Sequence, residues 1–93
     1  MSSRRWQVVI ASPAARDIDR LPMKIAAAAL EAINSIATNP HRMGKTLHLE
    51  LKGQWSARRG PYRIIYSIDD STETITVTAI AHRADVYRRS RRG

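Results

Sequence analysis

The sequence predicts an α+β fold in the order β-α-α-β-β-β-β, with a helical hairpin packed on one face of a mostly antiparallel sheet. Three observations lead there. Apolar residues recur at helical spacing through the first half of the chain and at spacing two through the second. The breakers Asn39-Pro40, Lys52-Gly53 and Gly60-Pro61 fall between the periodic stretches. Helices come first and hairpins follow, the segregation expected of α+β architecture.

The elements follow in order. Trp6 to Ala11, aromatic and β-branched, reads as a first strand. Ser12 then offers an N-cap, with Pro13 at the first helical position, where a missing N–H costs nothing. Ala14, Ile18 and Leu21 give a short amphipathic helix that Pro22 ends. Ile25, Ala29, Leu30, Ile33, Ile36 and Ala37 form the stripe of a second helix, which Asn39-Pro40 stops. Leu47, Leu49 and Leu51 alternate with His48 and Glu50 as a half-buried strand. Trp55 to Arg58 returns as another. Tyr62, Ile64, Tyr66 and Ile68 line the apolar face of the next, with Arg63, Ile65 and Ser67 opposite. Asp69 to Glu73 is a polar hairpin loop, and Thr74 to Ala81 is a last strand rich in β-branched residues.

No repeat, linker or low-complexity stretch divides the 93 residues, so 1–93 is read as one domain. A chain of this length buries roughly 60–70 % of its unfolded surface on folding. It has no cysteine, which excludes disulfides, zinc–thiolate and iron–sulfur sites and thiol nucleophiles. It also lacks a Gly-rich phosphate loop, a Walker motif and paired histidines at metal spacing, so neither cofactor nor metal is expected. The longest apolar run, Ile25 to Leu30, is far below the ~20 residues of a membrane span, and no signal-peptide core follows Met1. A cytoplasmic protein with no membrane contact is expected.

Charge gives the first functional clue. Sixteen Lys+Arg against 8 Asp+Glu leave a formal +8, which implies an anionic partner. Arginine dominates, and its planar fork suits phosphate. Arg91 and Arg92 also fit a solvated tail. Arg58, Arg59 and Arg63 bracket a turn, while Arg83 and Tyr87 follow the last strand. If those strands are neighbours, one sheet end gathers guanidinium groups and a phenol, a cluster able to hold a phosphodiester and stabilise the charge that builds on it. Neighbouring cations would favour the Tyr87 phenolate and suit it to proton transfer. Tyr62 and Tyr66 read as core. His41 is expected in a solvated loop and His48 on a polar strand side, so His82, beside Arg83, is the one histidine in a charged setting. Strict alternation puts Arg83 on the side of Val77, Ala79 and Ala81; either that side is open, or a bulge resets the parity.

The string Trp55-Ser-Ala-Arg58-Arg59-Gly60-Pro61-Tyr62-Arg63-Ile-Ile-Tyr66, followed by His82-Arg83-Ala-Asp-Val-Tyr87-Arg88, resembles the RelE toxins of bacterial type II toxin–antitoxin systems, within the RelE/ParE superfamily. Ala15-Arg16-Asp17 through Leu21-Pro22, Asn39-Pro40 and Gly44-Lys45 extend the resemblance over nearly the whole chain. It implies a ribosome-dependent endoribonuclease that cuts messenger RNA in the A site of the 70S ribosome, by attack of a ribose 2′-hydroxyl on the adjacent phosphate. Arg63 resembles the arginine on the scissile phosphate and Arg83 a second one near it. Tyr87 resembles a tyrosine that stacks on a base or assists proton transfer. Lys45, Arg58, Arg59, His82, Arg88 and Arg89 are expected to bind RNA. The implied partner is an acidic RelB-like antitoxin, through which operator DNA would be bound indirectly.

Two departures leave the general base open. Some relatives carry two lysines where this chain has Gln54 and Ser56, and another branch has a glutamate where Lys45 stands. Tyr87, His82, Lys45 or a ribosomal group could serve. The alternative within the superfamily is a ParE-like toxin that inhibits DNA gyrase by protein contact, with which the basic stretch Arg88 to Arg92 is compatible. A non-catalytic basic nucleic-acid binder is the third reading.

Overall fold

The computed structural model describes residues 5–46 and 53–82. The elements among them are β1 (Gln7–Ile10), α1 (Ser12–Arg20), α2 (Met23–Thr38), a one-turn α3 (Pro40–Met43), β2 (Lys45–Thr46), β3 (Trp55–Arg59), β4 (Tyr62–Asp69) and β5 (Thr74–His82). The sheet has the order β1-β5-β4-β3-β2. β1 runs parallel to β5, and every other pairing is antiparallel. The helices cover one face, as the segregation of periods predicts.

α1 starts one residue earlier than its proline suggests. Ala11, not Ser12, is the N-cap, and its carbonyl accepts the first helical hydrogen bond from Ala15 at 3.0 Å. Pro13 therefore sits at the second helical position, still inside the first turn where no N–H is needed. Leu21 and Pro22 join α1 to α2, and the Pro22 carbonyl accepts from Ile25 and Ala26. Ala29, Ile33, Ile36 and Ala37 bury the inner stripe of α2. Leu30, expected in that stripe, lies outside it and is 46 % exposed. Trp6 N–H donates to the Ala37 carbonyl and ties the chain before β1 to the end of α2.

Asn39-Pro40 ends α2 but does not open a loop. Asn39 caps α3, and buried Pro40 begins it. His41, expected in a solvated loop, lies in α3 and is exposed, yet it is also held: its Nε2 pairs with Asp70 at 3.0 Å, and its ring meets Trp6 and Trp55 edge-on, each at 5.6 Å. The strand expected over Leu47 to Leu51 and the Lys52 turn lie outside the described residues; the described strand there is Lys45–Thr46.

The core lies between helices and sheet, with Tyr66, Ile36, Ile64, Ile75 and Val77 fully buried in it. Tyr62, Ile64 and Tyr66 share this side, as alternation predicts. The parity of β5 breaks. Ile65 pairs with Ala79 but Tyr66 pairs with Val77, so Thr78 is the extra residue of a bulge. Val77 and Ile80 face the helices, whereas Ala79 and Ala81 join Ile65 on the opposite side. Beyond the bulge β1 no longer accompanies β5, and α1 covers the exposed edge: the Asp17 carboxylate accepts the Ile80 N–H at 2.9 Å.

Candidate nucleic-acid interface

Register partners in a sheet share a face. Arg58 is paired with Arg63, and Arg63 with Ala81, so these three positions form one row across β3, β4 and β5 on the helix-free face. The next row holds Ser56, Ile65 and Ala79, and Lys45 is paired with Ser56 in the β2–β3 ladder. Arg63 is half-buried and its Nη1 donates to Ser56 Oγ at 3.4 Å, while Arg58 is exposed. Neither guanidinium is in an ion pair among the described residues. Two cations side by side, uncompensated, with small side chains around them, make a flat electropositive surface suited to a phosphate backbone.

The other expected contact residues divide. Arg59 pairs with Tyr62, on the helix side, and its Nη2 meets Glu31 of α2 at 3.1 Å. His82 is also opposite Tyr62, and the two rings pack edge to face with centroids 5.5 Å apart. The sheet end thus brings Arg58 and Arg63 together on one face and places Arg59 and His82 on the other. Arg83, Tyr87, Arg88 and Arg89 lie outside the described residues. Among the described residues, no group of three or more His, Cys, Asp or Glu side chains could hold a metal, and no helix is long and apolar enough to cross a membrane.

Ser56 was not singled out by its chemistry, although its spacing of two from Arg58 would have placed it beside Arg63. Asp17 left no such signal, since its partner is a backbone N–H 63 residues away.

Residues 8–87 match the profile of the ParE toxin of type II toxin–antitoxin systems, parDE. The chain belongs to this toxin family. Toxin RelE of Mycobacterium tuberculosis is 48 % identical to it over 84 residues, covering 89 % of this chain and 87 % of that one. Toxin RelG of the same organism is 45 % identical over 85 residues, covering 90 % and 98 %. A chain in the crystal structure of the M. tuberculosis toxin–antitoxin complex RelBE2 superposes on this toxin with a TM-score of 0.83 at 39 % identity, covering 89 % and 97 %. The toxin is therefore RelE-like in its relatives as well as in its arginine pattern, and its matched span includes Arg83 and Tyr87.

Proposed function

We propose that this toxin is a ribosome-dependent messenger RNA endoribonuclease that arrests translation. The observation that carries the reading is the Arg58–Arg63 pair on the helix-free face, which no carboxylate among the described residues compensates. In the proposed reaction a ribose 2′-oxygen attacks the adjacent phosphorus. The new P–O bond closes a 2′,3′-cyclic phosphate, the P–O5′ bond breaks, and the leaving 5′-oxygen takes up a proton. Arg63, steadied by Ser56, contacts the scissile phosphate and stabilises its growing negative charge. Arg83 is the second phosphate contact, a role that rests on the resemblance of His82-Arg83 to the family pattern. Tyr87 stacks on a base or moves a proton, and the acceptor of the 2′-proton is among Tyr87, His82, Lys45 and ribosomal groups. Lys45, Arg58, Arg88 and Arg89 hold the RNA backbone, with Arg59 and His82 at the rim.

An acidic RelB-like antitoxin is the partner, supported by the +8 charge and by the RelBE2 complex of the relative. Through it the toxin reaches operator DNA. The ribosomal substrate places the toxin in the cytoplasm. Induction in cells followed by mapping of messenger RNA 5′ ends tests the reading. Cuts within translated codons are expected, and they disappear with Arg63→Ala, Arg83→Ala or Tyr87→Ala. DNA breaks with intact transcripts would instead mark a gyrase poison and overturn it.

A further inference from the structure

Beside the arginine row, the helix-free face carries an uncharged strut. Gln54 stands two residues before Ser56 and therefore on the same side of the sheet. Its Oε1 accepts a hydrogen bond from the Thr78 hydroxyl at 3.3 Å. β4 lies between β3, which Gln54 leads into, and β5, which holds Thr78, so the two side chains meet above β4. The other side of β4 is filled with core around Ile64 and Tyr66. Thr78 reaches across because it is the extra residue of the β5 bulge, and its hydroxyl also lies 3.3 Å from the Ile65 carbonyl oxygen. With Oε1 engaged, the two Nε2 protons of Gln54 remain, and no described residue accepts them. Among the described residues no side-chain nitrogen is buried without a partner, so these donors face solvent.

We propose that Gln54 binds RNA by donating its amide to the ribose 2′-hydroxyl of a nucleotide flanking the scissile phosphate, with Thr78 as its positioning residue; the proposal rests on the ribonuclease reading above. Charge favours a sugar over a phosphate at this place. The amide is neutral, and so are Ser56, Ser67 and Thr76 on the same face. The next residue of β4 on that side is Asp69, whose side-chain and backbone hydrogen bonds from Ser71 and Thr72 keep it a carboxylate and so repel a second phosphate. A 2′-hydroxyl is uncharged, and its oxygen accepts from an amide N–H. The spacing fits as well. Ile65, whose carbonyl shares the Thr78 hydroxyl, is two residues from Arg63 along β4, about 7 Å at the usual strand rise. A phosphate on Arg63 therefore leaves the adjoining sugar within reach of Gln54. Thr78 holds the amide oxygen and so turns the NH2 group outward. The contact distinguishes ribose from deoxyribose at that nucleotide.

The test uses 70S ribosomes programmed with messages that carry a single 2′-deoxy sugar on one or the other side of the attacking nucleotide, cut by the full-length toxin. The attacking 2′-hydroxyl is retained, so the bond chemistry is unaltered. Deoxy substitution at one of the two positions should lower kcat/KM about fivefold for the unaltered toxin, the worth of one neutral hydrogen bond, and chiefly through KM. Gln54→Leu should lose the same factor on the all-ribose message and show no further loss on the deoxy one. Thr78→Val keeps the volume of the bulge residue but frees the amide to rotate, so it should raise KM, leave kcat unchanged and shrink the deoxy penalty. If Gln54→Leu does not fold, as judged by circular dichroism, Gln54→Met and Thr78→Val decide. A deoxy penalty that persists undiminished in these variants, or none at either position in the unaltered toxin, overturns the contact alone. No cleavage of any message by the unaltered toxin overturns the ribonuclease reading itself.

Discussion

Arg58 stands directly opposite Arg63 in the β3–β4 ladder, and no carboxylate among the described residues pairs with either. Like charges facing each other across an antiparallel pair destabilise it by about 0.2–1 kcal/mol. The fold tolerates the pair on its helix-free face, where the neighbours are Ser56, Ile65 and Ala81 rather than an acid. Local destabilisation held at one place is what a site built to take up external negative charge requires.

Neutralising one of the two separates function from stability. Arg63→Gln removes the repulsion and keeps a donor near Ser56 Oγ, so the unfolding midpoint should hold or rise by a few degrees, about 4–8 °C per kcal/mol for a domain of this size. Growth arrest on induction should be lost in the same variant. Thermal unfolding by circular dichroism and a plate assay check both halves. A lowered midpoint would assign Arg63 to the scaffold instead.

Tyr66 governs alkaline stability. Its hydroxyl donates to the Pro40 carbonyl at 2.7 Å, and burial pushes its pKa from 10.0 up to about 12. The folded state therefore keeps the proton that the unfolded chain gives up. This stabilisation is complete below pH 10 and is lost as pH climbs towards 12, by on the order of 2–3 kcal/mol in all. Tyr66→Phe removes the titration but leaves the Pro40 carbonyl without its partner, a loss of about 1–3 kcal/mol at neutral pH. Urea unfolding between pH 7 and 11 should give a less stable variant with a flatter alkaline decline; parallel curves would contradict this.

Much of the fold was legible because both hydrophobic periods are strong. The helical hairpin, the β3–β4 turn at Gly60-Pro61 and the inward Tyr62, Ile64 and Tyr66 follow from spacing alone. The parity of β5 did not, because Thr78 carries no local mark of a bulge; its hydroxyl bonds to Gln54 and to the Ile65 carbonyl, contacts made only in the folded chain. His41 is exposed, as a polar residue after Asn39-Pro40 reads, but its contacts with Trp6, Trp55 and Asp70, distant in sequence, left no local mark. At the candidate site, residue types pointed to Arg58, Arg59 and Arg63 together. Only register shows that Arg59 faces the helices and that Ser56 stands beside Arg63.

Gly44 is required by a close approach rather than by its backbone conformation. A Cβ there would fall on the Tyr66 hydroxyl and 2.9 Å from the Ser56 carbonyl oxygen. Gly44→Ala should destabilise by about 1–3 kcal/mol, the usual penalty for overpacking. Adding Tyr66→Phe frees the space of one oxygen, so the two substitutions together should lose less than their sum. A double-mutant cycle in urea measures the coupling, and strict additivity would place the strain elsewhere.

The β4–β5 turn gives the acid-side counterpart. Asp69 accepts from Ser71 Oγ at 2.7 Å, from Ser71 N–H at 3.1 Å and from Thr72 N–H at 3.3 Å, the pattern of an Asx turn. These bonds, the Ser71 hydroxyl first, favour the carboxylate and hold its pKa below the ordinary 3.8. A lowered pKa contributes stability above the unfolded value and loses it as pH falls through the folded one, so the turn weakens below about pH 4. Ser71→Ala removes the largest contribution and should move the Asp69 titration, followed by NMR of the side-chain carboxyl carbon, up towards 3.8. Asp69→Asn should keep the turn bonds, which need only an acceptor, and flatten the acid limb of the stability curve. An unmoved titration in Ser71→Ala would mean that the backbone donors, not the hydroxyl, hold the charge.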